Sequence, residues 1–163
     1  MLSKTPVSNN QKTLKKEVFF KGIGLHTGKN SVVRIKPAPE DFGIIFKRTD
    51  LTTDNEIKAL WTNVTSTKLC TKISNKAGAS VSTIEHLMSA LSGMHIDNAI
   101  VEIQGLEIPI MDGSSEPFVD LIEDAGIKNQ IKNRKIIKVL KEVSAVSKNG
   151  YAKIKPNDKF SVE

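Results

Sequence analysis

The stretch STIEHLMSAL, Ser82 to Leu91, is where the hydrophobic period of the chain switches from two to 3.6, and the fold turns on it. Ile84, Leu87, Met88 and Leu91 recur at i, i+3, i+4 and i+7, which is one stripe of a helix. Ser82 stands ahead of them as the expected N-cap, Glu85 three residues on would complete a capping box, and Gly93 can close the helix. At about 100° per residue, Glu85 lies about 100° and His86 about 200° from the stripe centre at Ile84. His86 therefore falls opposite the core, among the small residues Ser82, Ser89 and Ala90. A face of that kind either meets solvent or is closely covered by another layer.

Before this helix the apolar residues alternate. TLKKEVFF (Thr13–Phe20), SVVRIKP (Ser31–Pro37), GIIFKR (Gly43–Arg48) and TKLCTKI (Thr67–Ile73) read as strands. The glycine-rich KGIGLHTGKN joins the first two, and the polar segment 49–66 reads as a loop with short irregular pieces. After the helix, NAIVEIQG (Asn98–Gly105) is a buried strand and EIPIM a shorter extended piece. A second helix starts with Ser115 as N-cap and Pro117 in its first turn. It carries Phe118, Leu121, Ile122 and Ala125 on one side and stops at Gly126. The expectation is an α+β domain over residues 11–127, a layered sheet with two helices on one face. Residues 1–10 read as a disordered lead and 128–135 as a basic linker.

Beyond the linker the chain begins again. AKIKP followed by KFSVE matches VRIKP followed by FGIIF, in each case after a strand and a turn. This suggests an internal repeat, with residues 136–163 forming the first strands of a second, truncated copy. Strands at Ile136–Val143 and Tyr151–Lys155 would present open edges and an uncovered apolar face. They would fold back, pair with another chain or stay mobile.

Composition narrows the function classes. Of the 163 residues 39% are hydrophobic and 5% aromatic, so the core is aliphatic, and no apolar run reaches a membrane span. The first residues, MLSKTPVSNNQK, lack the apolar middle of a signal peptide, and the single cysteine, Cys70, suits a reducing cytoplasm. The net charge of +6 equals the six basic residues of Lys128–Lys141, a segment with no acidic residue and no aromatic to stack bases. Nucleic acid is therefore not an expected partner.

A helix N-terminus favours a carboxylate and disfavours an imidazolium. Glu85 thus suits a general base and His86 a neutral metal ligand, although a capping glutamate beside a surface histidine explains the same pair. A hydrolytic zinc site usually has three protein ligands, and the local residues do not complete one. His26 lies in GLHTGK, whose glycines allow close backbone approach to a ligand. His95 reads as a polar loop residue and Cys70 as core or pocket wall.

GIGLHTGK (Gly22–Lys29), TKLCT (Thr67–Thr71), STIEHLMSAL and EIPIMDGSSEPFV (Glu107–Val119) occur in this order. Together they resemble the N-terminal half of the zinc-dependent UDP-3-O-acyl-N-acetylglucosamine deacetylases of lipid A biosynthesis. The resemblance implies two similar domains with the active site between them. It also implies that His86 is one of three Zn2+ ligands and Glu85 the general base. Leu69 and Cys70 would lie near the metal, with Asp112 close by (a turn or capping role fits it equally) and His26 near the cleft. The family's other two zinc ligands come from a His-Lys-x-x-Asp motif that this sequence does not contain. The isolated chain is thus expected neither to hold zinc tightly nor to deacetylate the small-molecule substrate. A complementary C-terminal half or self-association would be its partner. The alternative is a non-catalytic remnant or interaction module derived from that enzyme.

Overall fold

Alternating β-branched and aromatic residues account for the strands before the first helix. They are β1 (Asn10–Leu14), β2 (Val18–Ile23), β3 (Asn30–Pro37), β4 (Ile44–Arg48), β5 (Glu56–Lys58), β6 (Val64–Ser66), β7 (Lys72–Ser74) and β8 (Ser80–Val81). There follow α1 (Glu85–Gly93), β9 (Ala99–Gln104), α2 (Glu116–Ala125), β10 (Ile127–Asn133), β11 (Val143–Ser147) and β12 (Gly150–Ile154). This computed structural model describes residues 9–159 and 161–162, so all but the last two residues of the expected 1–10 lead lie outside it.

The central sheet has the order β2-β3-β9-β4-β5, antiparallel except for the parallel β4–β9 pair. One side chain in two turns inward, and Phe20, Val33, Ile35, Phe46, Val101 and Ile103 form the buried face. Leu87 and Leu91 of α1 and Phe118 and Ile122 of α2 join the same core, and Phe118 meets Phe20 edge to face at 5.5 Å. Each such side chain contributes about 1.5–3 kcal/mol by leaving water. The fold is the expected α+β layering. A three-stranded sheet β6-β7-β8 and two ribbons, β1–β10 and β11–β12, complete it.

Four elements differ from the alternation. Thr13–Phe20 is two strands, because β1 leaves the central sheet to pair with β10, and Lys15 N–H closes that ribbon on the Gly126 carbonyl at 2.8 Å. Thr67–Thr71 is not extended, and Leu69 sits in the left-handed region with φ 61°. Most of the 128–135 segment is strand β10. Asn98 donates through Nδ2 to both Gln11 Oε1 (2.8 Å) and Gln130 Oε1 (2.7 Å), while Gln130 donates to the Ala38 carbonyl (3.0 Å). Charge density hid this amide network, whose members lie 32 and 87 residues apart in sequence. Residues 136–142 are outside any strand, and the last ribbon starts at Val143.

The two Ile-Lys-Pro hairpins share a register. Val18 pairs with Ile35 in one and Val143 with Ile154 in the other. The residue before each valine is a glutamate bonded across the strands to a base: Glu17 to Arg34 at 3.1 Å, and Glu142 to Lys153 at 2.9 Å. The β2–β3 connection is six residues long and the β11–β12 connection two.

Candidate functional site

Helix α1 begins at Glu85, with Ile84 rather than Ser82 at the N-cap and no side-chain cap bond. The capping box is absent because the Ser82 backbone is engaged elsewhere. Its N–H donates to the Leu106 carbonyl (3.0 Å) and its carbonyl accepts from Ile108 N–H (3.1 Å), a short parallel bridge to the EIPIM segment. Glu85 is thereby freed from capping. Its Oε2 accepts the backbone N–H of Thr71 at 2.9 Å, and Ile84 N–H donates to the Thr71 carbonyl at 3.4 Å. These two bonds clip the Leu69–Cys70 loop to the first turn of α1.

The wheel holds for Ile84, Leu87 and Leu91, which are buried, and for Ser89, which is exposed. It misplaces Ala90, which is 2% exposed: α1 packs against α2, and its apolar sector is wider than a single stripe. His86 is half-buried, and its ring makes no hydrogen bond among the described residues. Glu85 Oε1 likewise accepts none, so the pair presents an imidazole and one carboxylate oxygen open to a further partner.

Loop GLHTGK is held by a residue the sequence reading did not single out. Glu107 is fully buried, and no cation pairs with it among the described residues. Its carboxylate accepts His26 N–H (3.0 Å), Thr27 N–H (2.8 Å) and the Thr83 hydroxyl (2.8 Å). Burial alone would raise this carboxyl, but these donors outweigh it and hold it below its ordinary value. A carboxylate inside the apolar run LEIPI was the available signal, since a buried charge requires donors. The donors themselves come from positions 24 to 81 residues away and are visible only in three dimensions.

Asp112 is exposed, and its carboxyl is held below the usual range by the backbone N–H of Ser114 and then by the Ser114 hydroxyl. This is a turn role ahead of α2. Leu69 is 82% exposed, Cys70 is half-buried and free, and the His26 residue is exposed. No hydrogen bond links Asp112 or the His26 ring to Glu85 or His86 among the described residues. His95 meets Arg134 at 3.2 Å on the loop after α1. Four non-glycine residues around α1 sit in the left-handed region: Leu69 (φ 61°), Thr83 (φ 57°), His95 (φ 58°) and Met111 (φ 55°). For a β-branched threonine this is costly, and such strain concentrates at functional sites.

As a metal site these residues are incomplete. No group of three or more His, Cys, Asp or Glu side chains among the described residues could hold an ion. The first turn of α1 offers one imidazole, that of His86, which does not by itself fit the three-ligand requirement of a hydrolytic zinc centre. No described helix is long and apolar enough to cross a membrane.

Residues 11–163 match the family model described as UDP-3-O-acyl N-acetylglycosamine deacetylase. The chain is 46% identical over 153 residues to the UDP-3-O-acyl-N-acetylglucosamine deacetylase of Shewanella frigidimarina, covering 94% of this chain. It is 47% identical over 152 residues to that of Cellvibrio japonicus, covering 93%. In both cases the match takes up 50% of the relative, so the chain spans about half the length of the curated relatives it matches.

Proposed function

Since the chain belongs to the UDP-3-O-acyl N-acetylglycosamine deacetylase family, we propose that it contributes one half of the site that removes the acetyl group from UDP-3-O-acyl-N-acetylglucosamine. The observation that carries this is the first turn of α1. Glu85 is fixed there by Thr71 through one oxygen while, among the described residues, its other oxygen and the His86 imidazole have no hydrogen-bond partner.

In this reading Glu85 takes a proton from the attacking water, and an acid from outside these 163 residues protonates the leaving nitrogen. A C–O bond forms at the acetamide carbonyl, the C–N bond breaks, and acetate and the free amine result. His86 would be one zinc ligand, the remainder coming from outside these 163 residues. A zinc ion held there would supply Lewis acidity at the carbonyl. Leu69, Cys70, Asp112 and His26 would bind the substrate or back the residues that do, the first two through the loop that Thr71 joins to α1. Residues 11–127 form the first module, 128–135 run from it, and 136–163 open a second built on the same plan. The shared register and matching Glu17–Arg34 and Glu142–Lys153 pairs support that division. The reaction would take place in the cytoplasm.

The test is deacetylation by the chain alone and together with a separately made second half of a relative. Turnover is expected only in combination and is expected to be lost with chelator; robust turnover by the 163-residue chain alone would overturn the split-site reading. A second reading, an interaction module without catalysis, draws on the exposed Val146 and Tyr151 of the last ribbon. Failure of every complementing half to restore turnover, with tight association, would favour it.

A further inference from the structure

We propose that Glu107 is a positioning residue of this site, one carboxylate that ties the loop bearing His26 to the turn that launches Glu85 and His86. The inference rests on the deacetylase reading for its functional consequence and on geometry for the tie itself. Glu107 stands beside Ser82 in the short parallel bridge. Its Oε1 accepts both His26 N–H and the Thr83 hydroxyl, and its Oε2 accepts Thr27 N–H. Two segments with no direct hydrogen bond to each other among the described residues thus share one acceptor. The other hydrogen bonds of loop 24–29 among the described residues are internal to it: the Gly24–Lys29 backbone bond (3.0 Å), the Gly28–Gly24 bond (2.9 Å) and the Lys29 N–H to the Thr27 hydroxyl.

Thr83 is the residue on which the tie bears most. It occupies the left-handed region at φ 57° two residues before Glu85, a conformation a β-branched side chain holds only when its surroundings impose it. The hydroxyl bond to a fully buried carboxylate is such an imposition. Gly24 closes the arrangement from the other side, because a Cβ there would collide with the Glu107 carboxylate and the Thr27 hydroxyl. A group that merely filled the core would not need an acceptor, and buried polar groups of this kind are retained where they fix geometry.

The experiment is amide hydrogen exchange by NMR on the 163-residue chain, with turnover measured in the complemented enzyme. In Glu107→Gln the His26 and Thr27 amides should exchange about 10- to 100-fold faster, with Leu87, Leu91 and Val101 unchanged. Should that variant fail to fold, Thr83→Val decides. It leaves Glu107 in place, yet should shift and deprotect the His26 and Thr27 amides through the shared carboxylate, while Thr83→Ser restores them. In the complemented enzyme, Thr83→Val should lower kcat about tenfold and Thr83→Ser should return it, with KM nearly constant. His26 and Thr27 amides unmoved by Thr83→Val overturn the tie. Deprotected amides in an enzyme that never turns over leave the tie standing and overturn the deacetylase reading instead.

Discussion

Glu85 Oε2 accepts the backbone N–H of Thr71 across 2.9 Å, so the first acidic residue of helix α1 holds the loop of Leu69 and Cys70 and not its own helix end. The bond orients the carboxylate while leaving Oε1 available.

Glu85→Gln keeps an acceptor for Thr71 but not a base. Turnover in the complemented enzyme should fall about 10²- to 10⁴-fold, with the thermal midpoint within a few degrees of wild type. Glu85→Ala should in addition release the Thr71 amide to exchange. A Glu85→Gln enzyme retaining most of its activity would remove Glu85 from the base role.

Leu87 is fully buried in the core that α1 shares with the sheet. Leu87→Ala should cost about 2–5 kcal/mol, read as a lowered urea midpoint with an unchanged slope. A loss below about 1 kcal/mol would mean that α1 is not seated as described.

Asn98 is 1% exposed and bonds β1, β10 and the turn at Gly43 through its amide, the last at 2.8 Å. Asn98→Leu would strand several of these partners and should destabilise by about 1–3 kcal/mol per orphaned group. The β10 amides should lose protection first. Uniform loss across all strands would contradict a local clasp.

Asp41 is held below the ordinary aspartate value first by its hydrogen bond to Lys132 and then by Gln11, and Lys132 is raised by Asp41 in return. A depressed carboxyl stabilises above its unfolded pKa and ceases to as pH falls through its folded one; a raised lysine stabilises below its unfolded pKa and ceases to as pH rises through its folded one. The pair should therefore hold the β10 ribbon from about pH 4 to about pH 10 and weaken on both sides. In Asp41→Asn the acid limb of the stability profile should be shallower. An unchanged limb would show that the pair contributes nothing in solution.

The strands β11 and β12 are exposed along their whole length. Removing residues 136–163 should leave the thermal midpoint of the remaining chain within about 2 °C, since surface changes away from the core are worth under about 0.5 kcal/mol. A large drop would reveal contacts between the ribbon and the first module.

Periodicity made the central sheet, both helices and the half-exposed position of His86 legible, because burial on one face leaves a repeating mark in the residues. Legibility ended where a single polar side chain chose its partner over distance. Ser82 looks like a cap but lends its backbone to the segment around Glu107; Glu85 looks like part of that cap but serves Thr71. The basic run of residues 128–141 conceals Gln130, which ties β10 to Asn98 and Ala38 at the ends of β9 and β3. Glu107 left only its oddity among aliphatic neighbours. In each case the deciding contact is long-range, and no local pattern encodes it.

The unequal hairpin connections have a consequence for symmetry. If β2–β3 and β11–β12 descend from one ancestral unit, the frame was copied with its register and its ion pair, but the six-residue insertion holding His26 has no counterpart in the two-residue turn Lys148–Asn149. A protein assembled from both would be two-fold in its scaffold and one-sided in what that scaffold presents. An approaching molecule would meet a single such loop, so binding at this place would have a stoichiometry of one and an unambiguous orientation.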